Sequence, residues 1–156
     1  SLIGKALNFG FNEYGFESRV SKLHYNYSMS YVTNLININK ASKTLVFNIN
    51  FSKHNLIFLK FFKKFSVIHK FLIIRNNGRT FIRIYLYYYK NKPTCSNFTV
   101  LSKPSKKFYI SHKAMRLLKK RSGFSVFIIS TSLGILSHHE AILKKTGGIV
   151  LGFFSI

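Results

Sequence analysis

Ile128-Ile129-Ser130-Thr131-Ser132-Leu133-Gly134-Ile135-Leu136-Ser137-His138-His139-Glu140-Ala141, followed by Gly147-Gly148, is the stretch that decides the fold. It continues the apolar run Phe124–Ile129, which predicts a buried strand. Three hydroxyls follow in a row, and Gly134 then turns the chain toward a helix over Ser137–Lys145. Ser137 as N-cap and Glu140 three residues on form a capping box. Gly147-Gly148 ends that helix, and Ile149–Phe154 predicts a last strand. Three hydroxyls beside exposed backbone N–H groups make a comb of short donors and acceptors. Such a comb suits base edges, ribose 2′-hydroxyls and phosphate oxygens. Ser-Thr-Ser also serves as ordinary turn chemistry, so the chemistry alone leaves both readings open.

Upstream of this stretch, the sequence predicts a short strand over Phe98–Leu101, a turn at Pro104, a strand over Phe108–Ile110 and a basic helix over His112–Lys120. Asn91–Asn97, with Pro93, reads as a linker. Before it, Phe71–Arg75 and Thr80–Tyr89 flank Asn77-Gly78, a hairpin turn signal because both central positions tolerate positive φ. Tyr87-Tyr88-Tyr89 reads as ordinary strand residues, with base stacking as the alternative. Ser52 is a candidate N-cap for a helix with Leu56, Leu59, Phe62 and Phe65 on one face. That aromatic stripe reads as core. Thr44–Asn50 alternates as a half-buried strand, and a helix is expected from Ser30, carrying Tyr31, Leu35, Ile36 and Ile38 on one side. Residues 1–28 show no clean period and read as an extension with local structure at most. Its aromatics are expected to pack on a neighbour.

The expected class is therefore α+β. Residues 29–92 form a small N-terminal α/β domain of helix, strand, helix and hairpin. Residues 93–97 are a linker. Residues 98–156 form a mainly β domain with short helices.

Charge narrows the partner. The chain holds 25 Lys and Arg against three acids, for a net charge of +22. The acids are Glu13, Glu17 and Glu140, and Asp is absent. So one-sided a field implies a polyanion, either nucleic acid or an anionic membrane. Hydrophobic residues at 47% set the chain apart from a disordered basic tail. Carboxylate catalysis has almost no material here. Adjacent His138 and His139 diverge by about 100° on a helix, so they are not the i, i+4 pair of a zinc protease. Cys95 is the lone cysteine, which excludes an internal disulfide. No enzyme, metal or cofactor is expected. Apolar runs such as Val67–Ile74 are interrupted by His69 and Lys70, well short of the roughly 20 residues a spanning helix needs. Amphipathic residues 53–65 are the candidate for membrane association, and they read instead as core. The N-terminus has neither the layout of a secretory signal nor that of an Arg-rich, acid-poor presequence. Heavy use of Phe, Tyr, Ile, Asn and Lys points to an AT-rich genome, of which organellar genomes are a common case.

As a pattern, Ser130-Thr131-Ser132-x-Gly134-x-Leu136-Ser137-x-x-Glu140-Ala141, then Gly147-Gly148, resembles the C-terminal signature of the universal small-subunit ribosomal protein eight family. Ser102-Lys103-Pro104-Ser105-Lys106-Lys107-Phe108-Tyr109 is similar to that family's Ser-Arg-Pro-Gly-x-Arg-x-Tyr segment, and Ser52-Lys53 with its apolar helix is similar to its second helix. The resemblance covers residues 30–156. It implies a two-domain protein that binds the central domain of small-subunit rRNA, beside neighbouring ribosomal proteins, on a mitochondrial ribosome in the matrix or alternatively a plastid one. It implies RNA contacts at Ser130, Thr131 and Ser132, close backbone approach at Gly134, Gly147 and Gly148, and phosphate contacts near Lys103, Lys106 and Lys107. Tyr109 and Lys53 complete the implied RNA-binding set. This sequence departs from the family at Ile149, where Glu is common, at Ser105, where Gly is usual, and at Asn37 and Asn39, where the first helix carries arginines. Lys40 and Lys43 are candidates to replace those arginines. A non-ribosomal RNA or DNA architectural protein is the competing nucleic-acid reading, and the hydroxyl comb favours RNA.

Overall fold

The computed structural model describes residues 16–103 and 105–156, with side chains from Tyr27 onward. The chain is α+β, and it divides into two compact units, one of Tyr27–Asn97 and one containing Phe98–Ile156.

Helix α1 (Phe16–Ala41), which enters the first unit at Tyr27, starts well before the expected Ser30 and so runs into the stretch read as an extension. Expectations for residues 1–15 lie outside the described residues. Met29, Val32, Thr33, Ile36 and Lys40 are buried at helical spacing, whereas Ile38 is exposed. The inward face is thus one step round from the one expected, and it includes three polar residues, Ser28, Thr33 and Lys40. Thr33 satisfies its hydroxyl on the Met29 carbonyl at 2.8 Å. Lys40 donates to the carbonyls of Cys95 (3.3 Å) and Ser96 (2.7 Å). Its ammonium therefore holds the 95–96 segment and is not available to replace the missing arginines. Burial pushes the Cys95 thiol pKa up, with Lys40 opposing that shift.

Strand β1 (Val46–Asn50) leads to helix α2 (Lys53–Lys64). Ser52 stands at its N-cap in extended conformation, but its side chain makes no capping bond. Phe58, Leu59 and Phe62 are fully buried, as the stripe requires. Strands β2 (Ile68–Asn76) and β3 (Arg79–Leu86) form the hairpin. Asn77 (φ 47°) and Gly78 (φ 76°) are both left-handed, so the turn is of the type that matches strand twist. The sheet order is β1-β3-β2, all antiparallel. Fully buried Ile82 and Ile84, with Ile49, mark its inner face. A two-residue pair, β4 (Tyr88–Tyr89) with β5 (Lys92–Pro93), follows.

The second unit is built on a sheet ordered β6 (Thr99–Val100), β10 (Gly148–Ser155), β8 (Ser125–Thr131), β9 (Gly134–Ser137), with β7 (Phe108–Ile110) also paired to β10. Helices α3 (His112–Arg121) and α4 (His138–Leu143) complete it. Strand β9 is a correction: the hydroxyls do not lead through a loop into a helix but into a β-hairpin. Ile110, Met115, Phe127, Ile129, Leu136, Ala141 and Val150 form one core cluster on one sheet face. The other face is buried too, with Ile128 and Phe154 fully enclosed and Phe98 against Phe154 at 4.9 Å. Burial on both faces is why Phe124–Ile129 reads as a continuous apolar run rather than an alternating one.

The capping box of α4 is present. Ser137 Oγ accepts from Glu140 N–H, and Glu140 Oε2 accepts from Ser137 N–H at 3.2 Å. His138, fully buried, accepts the Phe127 N–H on Nδ1 at 3.2 Å. That leaves Nε2 as the protonated nitrogen, facing Ser122 Oγ at 3.4 Å. Burial, then the nearby His139 and Lys119, lower the His138 pKa to about 4.

Candidate nucleic-acid interface

The hairpin β8–β9 sorts the three hydroxyls into three environments. Ser130 lies within the strand, paired to Ile135 on one side and Ile149 on the other, and is 7% exposed. Thr131 closes the turn opposite Gly134. Its hydroxyl donates to the Gly134 carbonyl at 2.9 Å and accepts from the Leu133 N–H at 3.2 Å. Ser132 and Leu133 stand exposed at the tip. The comb is therefore graded: Ser132 faces solvent, Thr131 mainly shapes the turn, and Ser130 is set back among strands.

Directly opposed residues of antiparallel strands share a face. The register Tyr109↔Ile149↔Ser130↔Ile135 is thus one row across four strands. Tyr109, 40% exposed, stands roughly 10 Å from Ser130, two strand spacings away. Ile149, buried at 2%, fills the middle of the row, where a carboxylate would stand in the family pattern. An apolar side chain thus stands between the two flanking strands.

The glycines act within the protein. A Cβ on Gly148 would meet the Ser130 carbonyl oxygen at 2.2 Å, and one on Gly147 would meet the Ile110 carbonyl oxygen at 2.7 Å. Both permit neighbouring backbone segments of the protein to close upon each other. Gly134 differs, since it adopts φ +105° with open space beside it, as the exposed turn demands.

The lysine loop is fixed by a residue that the site set omits. Ser102, 1% exposed, donates to the Val150 carbonyl and accepts from the Phe108 N–H at 3.1 Å. Lys103 and Lys106 exchange backbone hydrogen bonds at 2.9 and 3.1 Å, closing a small turn. Both side chains are exposed, and Lys106 Nζ lies 5.4 Å from the Phe108 ring centroid. Lys107 is half-buried. The one available signal for Ser102 was its place at the head of the quoted Ser-Lys-Pro segment. The structure therefore places Ser130, Thr131, Gly134 and Tyr109 on strands of one sheet, with Ser132 in the β8–β9 turn and the three lysines in the connection between β6 and β7. Lys53 is exposed at the start of α2, in the other unit.

Among the described residues, no group of three or more His, Cys, Asp or Glu could hold a metal, and no helix is long and apolar enough to cross a membrane.

A strongly cationic α+β chain with graded hydroxyls and a clamped lysine turn on one sheet has the build of an RNA-binding component of a ribonucleoprotein. Residues 29–154 match the family model of ribosomal protein S8, and the chain belongs to that family. It is a structural constituent of the small ribosomal subunit, and rRNA binding is general in the family. Its relatives include small ribosomal subunit protein uS8m of Acanthamoeba castellanii, 36% identical over 79% of this chain and 97% of the relative. Small ribosomal subunit protein uS8 of Borreliella afzelii is 35% identical over 65% of this chain and 76% of its own length. Protein uS8c of Stigeoclonium helveticum is 34% identical over 74% and 70%. The family is one of ribosomal proteins rather than enzymes.

Proposed function

We propose that the tip of the β8–β9 hairpin and the adjoining lysine turn hold the central domain of small-subunit rRNA. Ser132, Thr131 and the tip backbone meet the minor groove of an irregular helix, and Tyr109 flanks it. Lys103, Lys106 and Lys107 neutralise phosphates, with Lys53 and Lys43 contributing from the first unit. Ser130, Gly147 and Gly148 position this surface from behind. The observation that carries the reading is the row Tyr109–Ile149–Ser130, in which β10 pairs on one side with β8, the strand that leads to the hydroxyl tip, and on the other with β7, the strand that follows the basic loop. Phosphate contacts set affinity and its salt dependence, while the tip supplies site preference.

The match to 97% of the uS8m relative's length, together with the AT-rich residue usage, supports a mitochondrial ribosome in the matrix. The neighbours are rRNA and other small-subunit proteins, with residues 1–28 as the extension that reaches the latter. Residues 29–92 and 98–156 act as two domains joined through 93–97, a connection that Lys40 holds to the first. No membrane, small-molecule substrate, metal or catalytic step enters this role.

The test is binding of the cognate rRNA hairpin. Ser132→Ala should weaken it by about 0.5–1.5 kcal/mol, the net worth of one hydrogen bond. Unchanged binding by a folded Ser132→Ala, Thr131→Val double variant would remove the tip as the reader.

A further inference from the structure

The first unit presents a second surface that the hairpin site does not use. Its sheet has two faces, and the register assigns them. Ile49, Ile82 and Ile84 point inward and are buried. The residues between them point outward. Asn48 stands opposite Arg83, and Asn50 opposite Phe81, with Ile74 completing that second row from β2. Tyr85 continues the outward line of the central strand, with Lys70 Nζ 4.7 Å from its ring centroid.

A concavity of about 250 Å³ opens on this face. Phe81 and Ile74 give it apolar walls, Tyr31 of α1 closes one side, and Asn48, Asn50 and Asn76 bring carboxamides to it. Arg83 also lines it, and its Nε donates to Asn48 Oδ1 at 3.2 Å. That bond sets the plane of the guanidinium and leaves its terminal amino groups to other partners. No Asp or Glu occurs between residues 27 and 97, so nothing on this unit's own chain neutralises that charge.

The chemistry of the hollow selects its occupant. An aromatic wall accepts a flat π-face. Carboxamides offer a donor and an acceptor side by side, which is what the edge of a base requires, and adenine's in particular. Arg83 and Lys70 suit the phosphates that accompany a base. Aromatic residues on the central strand of an open sheet, amid cations, are a recurrent platform for unpaired RNA. A phosphate alone would gain nothing from Phe81 and Ile74. An apolar protein segment would leave three carboxamides and Arg83 unpaired.

We propose that this outer sheet face binds an unpaired RNA nucleotide, its base against Phe81 with its edge on Asn50 and Asn48, and its phosphate toward Arg83. The site rests on the same RNA-binding role as the hairpin, but it is a separate contact that recognises a single strand rather than a helix.

The test uses the full chain and two probes, a fluorescent oligoadenylate of about eight nucleotides and the cognate rRNA hairpin. Phe81→Leu keeps an apolar strand residue and removes the ring. It should weaken oligoadenylate binding about ten-fold, in line with the usual effect of removing one stacking partner. Hairpin affinity should move less than two-fold. Arg83→Gln, a second variant should Phe81→Leu fold poorly, should weaken the oligoadenylate and lower the salt dependence of its binding. Ultraviolet crosslinking of wild-type protein to the oligoadenylate should place an adduct on the peptide Thr80–Arg83. Hairpin binding intact with neither variant altering oligoadenylate affinity would overturn this site while leaving the hairpin reading untouched. Adducts confined to residues 98–156 would also overturn it, as would an intact particle in which a protein chain fills the hollow. Failure of the hairpin probe with retained oligoadenylate binding would instead overturn the role assigned to β8–β9.

Discussion

Gly148→Ala tests the close approach of β10 to β8. The added methyl would meet the Ser130 carbonyl oxygen at 2.2 Å and its carbon at 2.9 Å. Both are backbone atoms, so no side chain can swing aside. Reaching a tolerable 3.0 Å requires the strands to part by about 0.8 Å, which takes ladder bonds of ordinary length beyond hydrogen-bonding range. Overpacking of this kind costs about 1–3 kcal/mol, and each weakened ladder bond adds about 0.5–1.5 kcal/mol. A loss near 3–4 kcal/mol follows, or roughly 8–15 °C of melting temperature for a chain of this size. Urea and thermal unfolding followed by circular dichroism would measure it. Gly134→Ala is the comparison, because open space surrounds that position and only its φ of +105° is offended. It should cost about 1–3 kcal/mol through backbone strain, with the damage confined to the turn. A Gly148→Ala protein melting within 2 °C of wild type would refute the strand contact, and with it the positioning of Ser130 (roughly half of one kcal/mol on the same scale).

Ser102→Ala removes a donor to Val150 and an acceptor for Phe108 N–H, both in a buried setting. It should cost about 2–3 kcal/mol and speed hydrogen exchange at the Phe108 amide. Replacing Lys103, Lys106 and Lys107 together by Ala should lower the slope of log affinity against log salt by roughly 2–3, while leaving unfolding almost unchanged. His138 carries a pH signature. Its folded pKa of about 4 lies below the ordinary 6.5, so the unfolded chain binds the proton more readily between these values. Stability should be unaffected by this group above pH 6.5 and fall as pH drops toward 4, by about 3 kcal/mol in total. In urea titrations across that window, His138→Gln should flatten the profile; an unchanged slope would assign the pH dependence to other groups. Lys40→Met should leave the Cys95 and Ser96 carbonyls without their ammonium and destabilise the first unit by about 1–3 kcal/mol.

Much of this architecture was legible because local chemistry agrees with global packing. Asn77-Gly78 demands a tight hairpin, and Ser137 with Glu140 announces a helix start. The Leu59 and Phe62 stripe is core as its spacing implies. Helix α1 was foreshortened because Asn, Ser and Tyr are weak helix formers, and its buried line runs through Thr33 and Lys40, which satisfy themselves on backbone carbonyls. Strand β9 escaped notice because four residues carry too little alternation to show a period, and the hydroxyls before it read equally well as loop. For the candidate interface, residue types single out segments but not their exposure. Ser130 and Ser132 look alike in the sequence, and only the register separates a residue held between strands from one at a tip. The outer sheet hollow needs three strands in register, so no single segment could announce it.

Thr131 has a consequence for how the particle comes together. Its hydroxyl bridges both ends of the turn, so the tip holds its shape before any nucleic acid arrives. If the tip meets RNA as proposed, this surface has little conformational freedom to lose on docking, and the ordering would fall on the RNA. On that reading the tip would act as a mould, selecting one geometry from those a flexible RNA segment samples.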